Sequence, residues 1–578
     1  MLYDYAPCCS TVKLMPMKKI VLLLSALSML GVGSLYSQVY SPADPDWRQG
    51  RHDYKKTARA PWRCNAPMSV SKQWDYEDPN DSYIYVTTAD INGDGTAEIF
   101  YTGDDRGAFD GAPNVWLNIY GGVICDNAFW PDQAAGDCVI GTNGAIYCPL
   151  TETDSWGDVT GYFTKGNYSC GEIYRRDEDE YHSNLTIADV NGDGNPEIYR
   201  GVGDYAVSVN GNAGSYTENW SVNMGTRVGT PVLGDFDGDG ALEVCFPLAN
   251  NTINCRNASN GTFRWSWSMP CGFISMISGE YGPPSWQTQA VMAEDLDGDG
   301  RDELIALGSS CIAAFKYGVG LWWNNTSYGA VTAGAVGKLN ADPYPDVVVK
   351  VAAPAGMVCD TVDLTCEDYF CDGTCTDWCW TDGYYIYSCC CRPAYTYYYV
   401  VLDGTNGSLI ATFSDSEGCS APTIADITGD GILDVIIACV NPVAYSASNG
   451  WSGRVWTATG AAPFIITSDL VVARRTNTSL MLVLGDASCF TNLWNCPVAV
   501  MGYDDETQVE EVKVSEPIKV EGGKGYILVK GYKGNLEVYN TTGRLVKDAK
   551  VDGEAKFELP SGAYIIKMGK ENRVVIVR

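Results

Sequence analysis

The chain has 578 residues, with 62 Gly, 36 Tyr, 17 Trp and 23 Cys, and a formal net charge of −32. So long a chain exceeds one ordinary hydrophobic core, which predicts repeats or several domains. The acidity excludes a nucleic-acid partner, whose phosphates need a basic surface.

Residues 17–37 open with Met17, Lys18 and Lys19, run through an apolar stretch and end in small residues. These are the three zones of a secretory signal, so translation is expected to start at Met17 and cleavage to fall before Gln38. A membrane anchor is the alternative, but the stretch is short. No later segment reaches the roughly 18 apolar residues that span a bilayer. An exported chain oxidises its thiols. Cys8 and Cys9 precede residue 38, which leaves 21 of the 23 cysteines, an odd number with one thiol free, lost or paired elsewhere. Residues 38–80 are rich in Pro and charge.

Short apolar runs that read as strands then frame a recurring nine-residue loop. Its copies begin at Asp90, Asp189, Asp235, Asp295 and Asp426. Oxygen-bearing side chains stand at places one, three, five and nine, and glycine at place six allows a sharp turn. The ligand set in the first two copies is Asp90, Asn92, Asp94, Thr96 and Glu98, then Asp189, Asn191, Asp193, Asn195 and Glu197. The next two give Asp235, Asp237, Asp239, Ala241 and Glu243, then Asp295, Asp297, Asp299, Arg301 and Glu303. The last is Asp426, Thr428, Asp430, Ile432 and Asp434. The place-seven residue of each copy serves through its backbone carbonyl. A hard cation such as Ca²⁺ takes six to eight oxygen ligands, which this spacing can converge. A solvated acidic turn explains one such match, but not five, each followed by an apolar strand. A sixth copy puts Lys338 at place one but keeps Asn340, Asp342 and Asp346. A remnant near Asp469 has Val471 and Ala473 where ligands would be.

These markers divide residues 81–503 into seven units. The unit at Asp235 shows the plan, with strands expected at Gly229–Leu233, Leu242–Phe246, Thr252–Arg256 and Thr262–Trp267. Four antiparallel strands per repeat predict an all-β, seven-bladed β-propeller with calcium-binding hairpin loops. Met68–Trp74 is expected to supply the outer strand of the last blade and so close the ring. The repeats resemble the FG-GAP/VCBS family, calcium-loop propeller repeats also found in the integrin α-chain head and in bacterial surface proteins. The likeness covers about residues 80–500. It implies about five structural Ca²⁺ sites and leaves the units at Lys338 and Asp469 without the family's full ligand set.

Two long intervals read as cysteine-rich insertions, at about 104–175 (Cys125, Cys138, Cys148, Cys170) and 354–394 (Cys359, Cys366, Cys371, Cys375, Cys379, Cys389, Cys390, Cys391). The second falls between strands two and three of its blade and so rises from the face opposite the calcium loops. Disulfides are favoured over zinc there, since no His is near and Cys-x₂-Cys pairs are lacking. Elsewhere Cys245 is expected to pair with Cys255, Cys419 with Cys439, and Cys489 with Cys496. The insertion is dense in aromatics: Tyr369, Trp378, Trp380, Tyr384, Tyr385 and Tyr387. They fill a mini-core or offer faces for a sugar or protein partner.

Residues 504–512 are an acidic linker, and residues 513–578 lack cysteine and read as a small Ig-like β-sandwich. The phrases 538–546, 559–567 and 574–577 resemble the type A C-terminal sorting domain of the Bacteroidota type IX secretion system. That resemblance implies passage through the outer membrane by that machinery, removal of the tail, and attachment to the cell surface or release. An ordinary Ig-like accessory module is the alternative.

Catalytic motifs are scarce. His52 and His182 are the sole histidines, and His182 sits in a charged run that reads as solvated. GxSxG, HExxH and P-loop patterns are absent, and no carboxylate pair stands out from the loops. The sequence therefore favours a surface-displayed adhesion or recognition protein that binds a glycan or protein partner, with no catalytic residues assigned. The alternatives are a polysaccharide lyase or glycoside hydrolase on the same scaffold, and a structural surface-layer component.

Overall fold

A computed structural model describes residues 6–7, 49, 52–63, 70–76, 81–105, 114–126, 134–178, 180–273, 290–364, 386–414, 420–457, 470–484, 498–503, 519–523, 526–540, 544–568 and 571–577, with short breaks inside several runs. Residues up to Asp504 form one compact unit and Asp505–Arg578 a second. Among the described residues both are all-β, apart from one 3-10 turn at Ala447–Asn449.

Among the described residues the first unit is a β-propeller of eight sheets, one more than the loops alone predict. Blade 1 comprises Asp81–Ala89, Glu98–Asp105, Asn114–Leu117 and Val123–Asp126. Blade 2 is the unforeseen one. Its main strands are Ala145–Thr153, Val159–Asn167 and Glu172–Glu178, with the short Ala134–Ala135 and Val139–Ile140 on the inner side. The expected insertion at 104–175 is therefore no insertion. It supplies two strands of blade 1 and nearly all of blade 2. It escaped the loop count because blade 2 carries no acidic loop.

Blades 3 to 5 begin at Thr186–Ala188, Val232–Gly234 and Val291–Glu294. Blade 6 runs from Ala330–Gly337 to Leu409–Phe413, and blade 7 from Thr423–Asp426 to Arg454–Thr457. Blade 8 combines Val471–Thr476, Ser479–Leu484 and Val498–Tyr503 with Val70–Tyr76, which pairs antiparallel with Val498–Tyr503 as the outer strand. One sheet thus joins the two ends of the propeller chain.

Burial falls from the axis outwards. First and second strands of blades 3, 4, 5 and 7 are buried at every residue, whereas an outer strand such as Phe263–Ser268 is half exposed. The cores lie between neighbouring sheets. Leu304, Ala306 and Phe315 of blade 5 meet Val232, Phe236 and Ile253 of blade 4. On blade 5's other face Ile305, Leu307 and Ile312 meet Val336, Val347 and Val349 of blade 6. Alternate residues of one strand therefore serve two cores, as period-two side-chain alternation requires.

The axis is filled by the chain itself. Gln49, Asp53, Thr57, Ala58 and Ala60 are fully buried there, with Lys55, Lys56 and Arg59 nearly so. The backbone N–H groups of Leu233, Ala293, Val336 and Ile424 donate to the carbonyls of Tyr54, Lys55, Thr57 and Ala58 at 2.9–3.0 Å. Ile187 N–H donates to Gln49 Oε1 at 3.1 Å. These five donors sit two residues before Asp189, Asp235, Asp295, Lys338 and Asp426, so they are one position repeated through blades 3 to 7. Arg59–Arg63 then adds to the inner edge of blade 7 in parallel register.

Blade 6 carries the longest hairpin of the propeller. Asp346–Leu364 and Ile386–Asp403 pair from Asp346 with Asp403 to Leu364 with Ile386, with one bulge between Pro354 and Gly356, bringing Cys359 opposite Cys391. Residues 365–385, with the remaining aromatic and cysteine cluster, lie outside the described residues. The second unit is a five-stranded sheet in which Tyr526–Asn540 pairs with three neighbours. Its core holds Ile527, Val529, Leu536, Val538, Phe557 and Ile566.

Candidate metal centres on the hairpin loops

Each acidic loop joins the first two strands of its blade, and one hydrogen-bond scheme recurs. In blade 4, the N–H groups of Gly238 and Gly240 donate to Asp235 Oδ1 and Oδ2 at 2.8 and 3.0 Å. Blades 3, 5 and 7 repeat both bonds on Asp189, Asp295 and Asp426. The donors reach this carboxylate because places four and six hold positive φ, 76° and 85° in blade 4, which glycine adopts without a Cβ penalty. The place-seven N–H caps the place-five side chain in all five loops, for example Ala241 to Asp239 at 2.8 Å. The place-two N–H donates to the place-nine carboxylate: Ile91 to Glu98, Val190 to Glu197, Phe236 to Glu243, Leu296 to Glu303 and Ile427 to Asp434.

The place-nine carboxylate is therefore pulled inwards with one oxygen satisfied. In blades 1 and 3 the other oxygen accepts from the place-three amide, Asn92 at 2.7 Å and Asn191 at 2.5 Å. Blades 4 and 5 have Asp at place three, which offers no donor. There Glu243 Oε1 and Glu303 Oε1 lie buried without a well-aligned hydrogen bond, as does Asp434 Oδ1 in blade 7. Burying a carboxylate is costly even beside a partner. Burial, then the neighbouring acids, push Glu243 up to about 8. Burial likewise pushes Glu303 and Glu197 up to about 7 and Asp434 up to about 6.

Side-chain cations mark the convergence point in two loops. Arg264 Nη2 bonds Asp237, lies 2.9 Å from Asp239 Oδ2 and 3.4 Å from Glu243 Oε1. Lys316 Nζ bonds Asp297, and lies 2.9 Å from Asp299 Oδ2 and 3.0 Å from Glu303 Oε1. In each loop the first three acids, Asp235, Asp237 and Asp239 or Asp295, Asp297 and Asp299, bring one carboxylate oxygen apiece within 4.8 Å of one another. Hard oxygen donors at this density, already drawing a side-chain cation to their convergence point in two loops, fit a divalent cation of the calcium type. Every loop residue named from the sequence, from Asp90 to Asp434, lies on such a hairpin. Arg264 and Lys316 were missed, because a single basic residue on a later strand carries no pattern.

The loop at Lys338 keeps the turn without the acid. Asp342 and Tyr344 N–H groups still bond Asn340 and Asp342, and Leu339 N–H still bonds Asp346. Lys338 itself is exposed. Of the remnant, Asp469 lies outside the described residues, whereas Val471 and Ala473 fall in the first strand of blade 8 and on no loop.

Both histidines are buried, which corrects the solvated reading of His182. Its Nδ1 is 2.8 Å from Arg200, whose guanidinium also bonds Glu178 at 2.6 Å and Tyr216 at 2.9 Å and stacks on Phe163. Burial and the Arg200 charge hold His182 far below its usual range. A Cβ on Gly161 would stand 2.0 Å from His182 Nε2, so the imidazole packs directly against that strand.

Cys245 pairs with Cys255 as expected, and two further disulfides join Cys138 to Cys148 and Cys271 to Cys311. Cys125 is also oxidised. The expected pairs Cys419–Cys439 and Cys489–Cys496 fall outside the described residues.

No protein-family model and no curated protein matches the chain. Among solved structures it is similar to the quinohemoprotein alcohol dehydrogenase ADHIIG from Pseudomonas putida HK5, at 10% identity over 82% of each chain with a TM-score of 0.48. It is similar to the V. cholerae biofilm matrix protein Bap1, at 14% identity over 76% of this chain and 92% of that one, TM-score 0.46. The exotype rhamnogalacturonan lyase YesX matches at 13% identity over 76% of each chain, TM-score 0.41. The propeller assignment rests on the sheets themselves.

Proposed function

We propose that this chain is an exported, surface-displayed propeller, stiffened by about five Ca²⁺ ions, that binds a glycan or protein partner. The observation that carries the recognition half is where binding surface remains. The axis, where a propeller has its central channel, holds Gln49 and His52–Ala60 against the inner strands of blades 3 to 7. The longest projection is the blade 6 hairpin, which antiparallel geometry directs away from the acidic loops. The calcium half is supported by the converging loop carboxylates, by the cations that two of the loops draw to that point, and by the raised place-nine carboxyls. The ions would be held by the place-one, -three, -five and -nine side chains and the place-seven carbonyl. They would supply charge compensation and rigidity. Residues 17–37 as an export signal, and residues 513–578 as a type IX sorting domain that delivers the chain to the outer surface, complete this reading. Its expected partner is that secretion machinery.

The test is a panel of soluble polysaccharides incubated with the oxidised chain from Gln38 onwards, in calcium, with binding and chain cleavage read in the same wells. Binding without cleavage, lost when residues 357–393 are replaced by a short turn, supports recognition by the hairpin. Cleavage would overturn it in favour of a lyase or hydrolase. Silence on both counts favours a protein partner.

A further inference from the structure

The axial segment and the acidic loops meet at one residue. Asp302 is place eight of the blade 5 loop, between the place-seven Arg301 and the place-nine Glu303. Its Oδ1 accepts from Lys55 Nζ of the axial segment at 2.5 Å. Its Oδ2 accepts from the N–H of Asp235, place one of the blade 4 loop, at 2.9 Å. The Asp302 N–H returns a bond to the Asp235 carbonyl at 3.0 Å. The approach is close enough that a Cβ on Gly234 would stand 2.9 Å from Asp302 Oδ2. One buried carboxylate thus joins the axial segment to two acidic loops.

The segment is held rather than relaxed. Lys55 and Arg59 are buried cations whose partners, Asp302 and Glu294, both come from blade 5. Lys56 Nζ donates to the Leu185 carbonyl of blade 3 at 2.9 Å. His52, Lys56 and Ala58 hold positive φ of 76°, 58° and 51°. Non-glycine residues adopt that region at a cost, and keep it only while the surroundings impose it. A segment strained in place and tied by buried ion pairs leaves readily when its ties shift.

We propose that Asp302 makes the axial segment a calcium-dependent plug, seated when the blade 4 and blade 5 loops hold their ions and released when they lose them. This rests on the calcium reading above. With the blade 4 and blade 5 loops loaded, Asp235 on one side and Arg301 and Glu303 on the other would be held as ligands, which would fix Asp302 and so the acceptor for Lys55. Without them the loop acids repel one another, Asp302 moves with its two flanking ligands, and Lys55 loses its partner. By linkage, the seated segment raises calcium affinity by the same factor that calcium raises seating. A released segment opens the axis and exposes five equivalent N–H donors.

The experiment is tryptic digestion of the full chain below its unfolding temperature, with bound calcium counted in the same samples. Cleavage after Lys55, Lys56 and Arg59 is expected to rise at least tenfold when calcium is chelated. Asp302→Asn, which keeps the side-chain shape and alters no ligating side chain, is expected to be cut at the chelated rate while its calcium count stays unchanged. Hydrogen exchange of residues 49–63 across a calcium titration of the unaltered chain gives the same reading without a variant. Equal protection with the ions demonstrably gone, or full protection in Asp302→Asn, would overturn the coupling alone. Failure to take up calcium would overturn the metal reading and the coupling with it, an outcome the ion count separates from the others.

Discussion

The loops of blades 5 and 6 share a hydrogen-bond skeleton and differ in what they could hold. Both tie the place-two N–H to the place-nine carboxylate and the place-seven N–H to place five. Blade 5 adds Asp295 at place one, glycines at places four and six, and Lys316 set against its acids. Blade 6 has Lys338, Ala341 and Pro343 at places one, four and six, and its lysine points to solvent. The turn and the ion site are therefore separable layers. Side chains that cap their own backbone two residues on build the turn, and converging charge builds the site.

The strongest way to break this comparison is to remove the ions. Chelation is expected to lower Tm by roughly 10 °C or more, since each site filled at about 100 times its Kd contributes about 2.7 kcal/mol. Calorimetry with and without chelator checks it, and an unchanged Tm would sink the structural role of calcium.

Paired substitutions sharpen it. Glu303→Gln is expected to remove one bound ion and cost about 2–3 kcal/mol in calcium, because the half-buried acids around it lose their counter-ion. Asp346→Asn in blade 6 is expected to cost less than about 1 kcal/mol, since burial already pushes Asp346 up to about 7 and an amide keeps the Leu339 bond. Denaturant melts measure both. Equal losses would show that the two loops do the same work.

Stability against pH gives a third contrast. Without ions, Glu243, Glu303 and Glu197 keep protons in the folded protein at pH values where the unfolded chain, titrating near 4.5, has released them. The folded state then binds more protons, so stability falls as pH rises from about 5 to 8. The chelated protein is expected to melt several degrees higher at pH 5.5 than at pH 8, and saturating calcium to abolish that gain.

Rebuilding the lost loop is a gain-of-function test. Lys338→Asp alone is expected to bind nothing, because Pro343 is locked near φ −65° where the other loops need about +85°. Adding Ala341→Gly and Pro343→Gly is expected to raise the calcium count by one. The smallest effect is at blade 5, where Lys316→Gln removes a competing ammonium and is expected to tighten that site by about tenfold, read by titration calorimetry.

The loops were legible because oxygen at alternate places is a pattern a single chain can display. Blade 2 was not, because its strands carry no such marker. The interval from Asp90 to Asp189 is long, but so is that from Lys338 to Asp426, and one hides a blade while the other hides a hairpin. Interval length cannot separate them. The alternation around Asn143 and Gly144, with Ala145–Thr153 and Val159–Asn167 on its far side, was the signal that could. The axial segment left no trace either. Lys55, Lys56 and Arg59 are part of a stretch that the sequence marks only as rich in Pro and charge, and the partner of Lys55, Asp302, lies 247 positions along the chain.

Blade 8 sets the order in which the molecule can be finished. Its outer strand is near the start of the chain and its other three near the end of the propeller, so the seam cannot close until residues 498–503 are available. The axial segment has a similar wait, since its acceptor and donor partners run from Ile187 to Ile424. Such distant pairings make folding slow and leave edges unpaired meanwhile. A chain threaded outwards amino end first would carry residues 49–76 across as an unpaired tail and complete its ring only on the far side. Circular permutation that places 49–76 after residue 503 would convert the closing step into a local one and speed it.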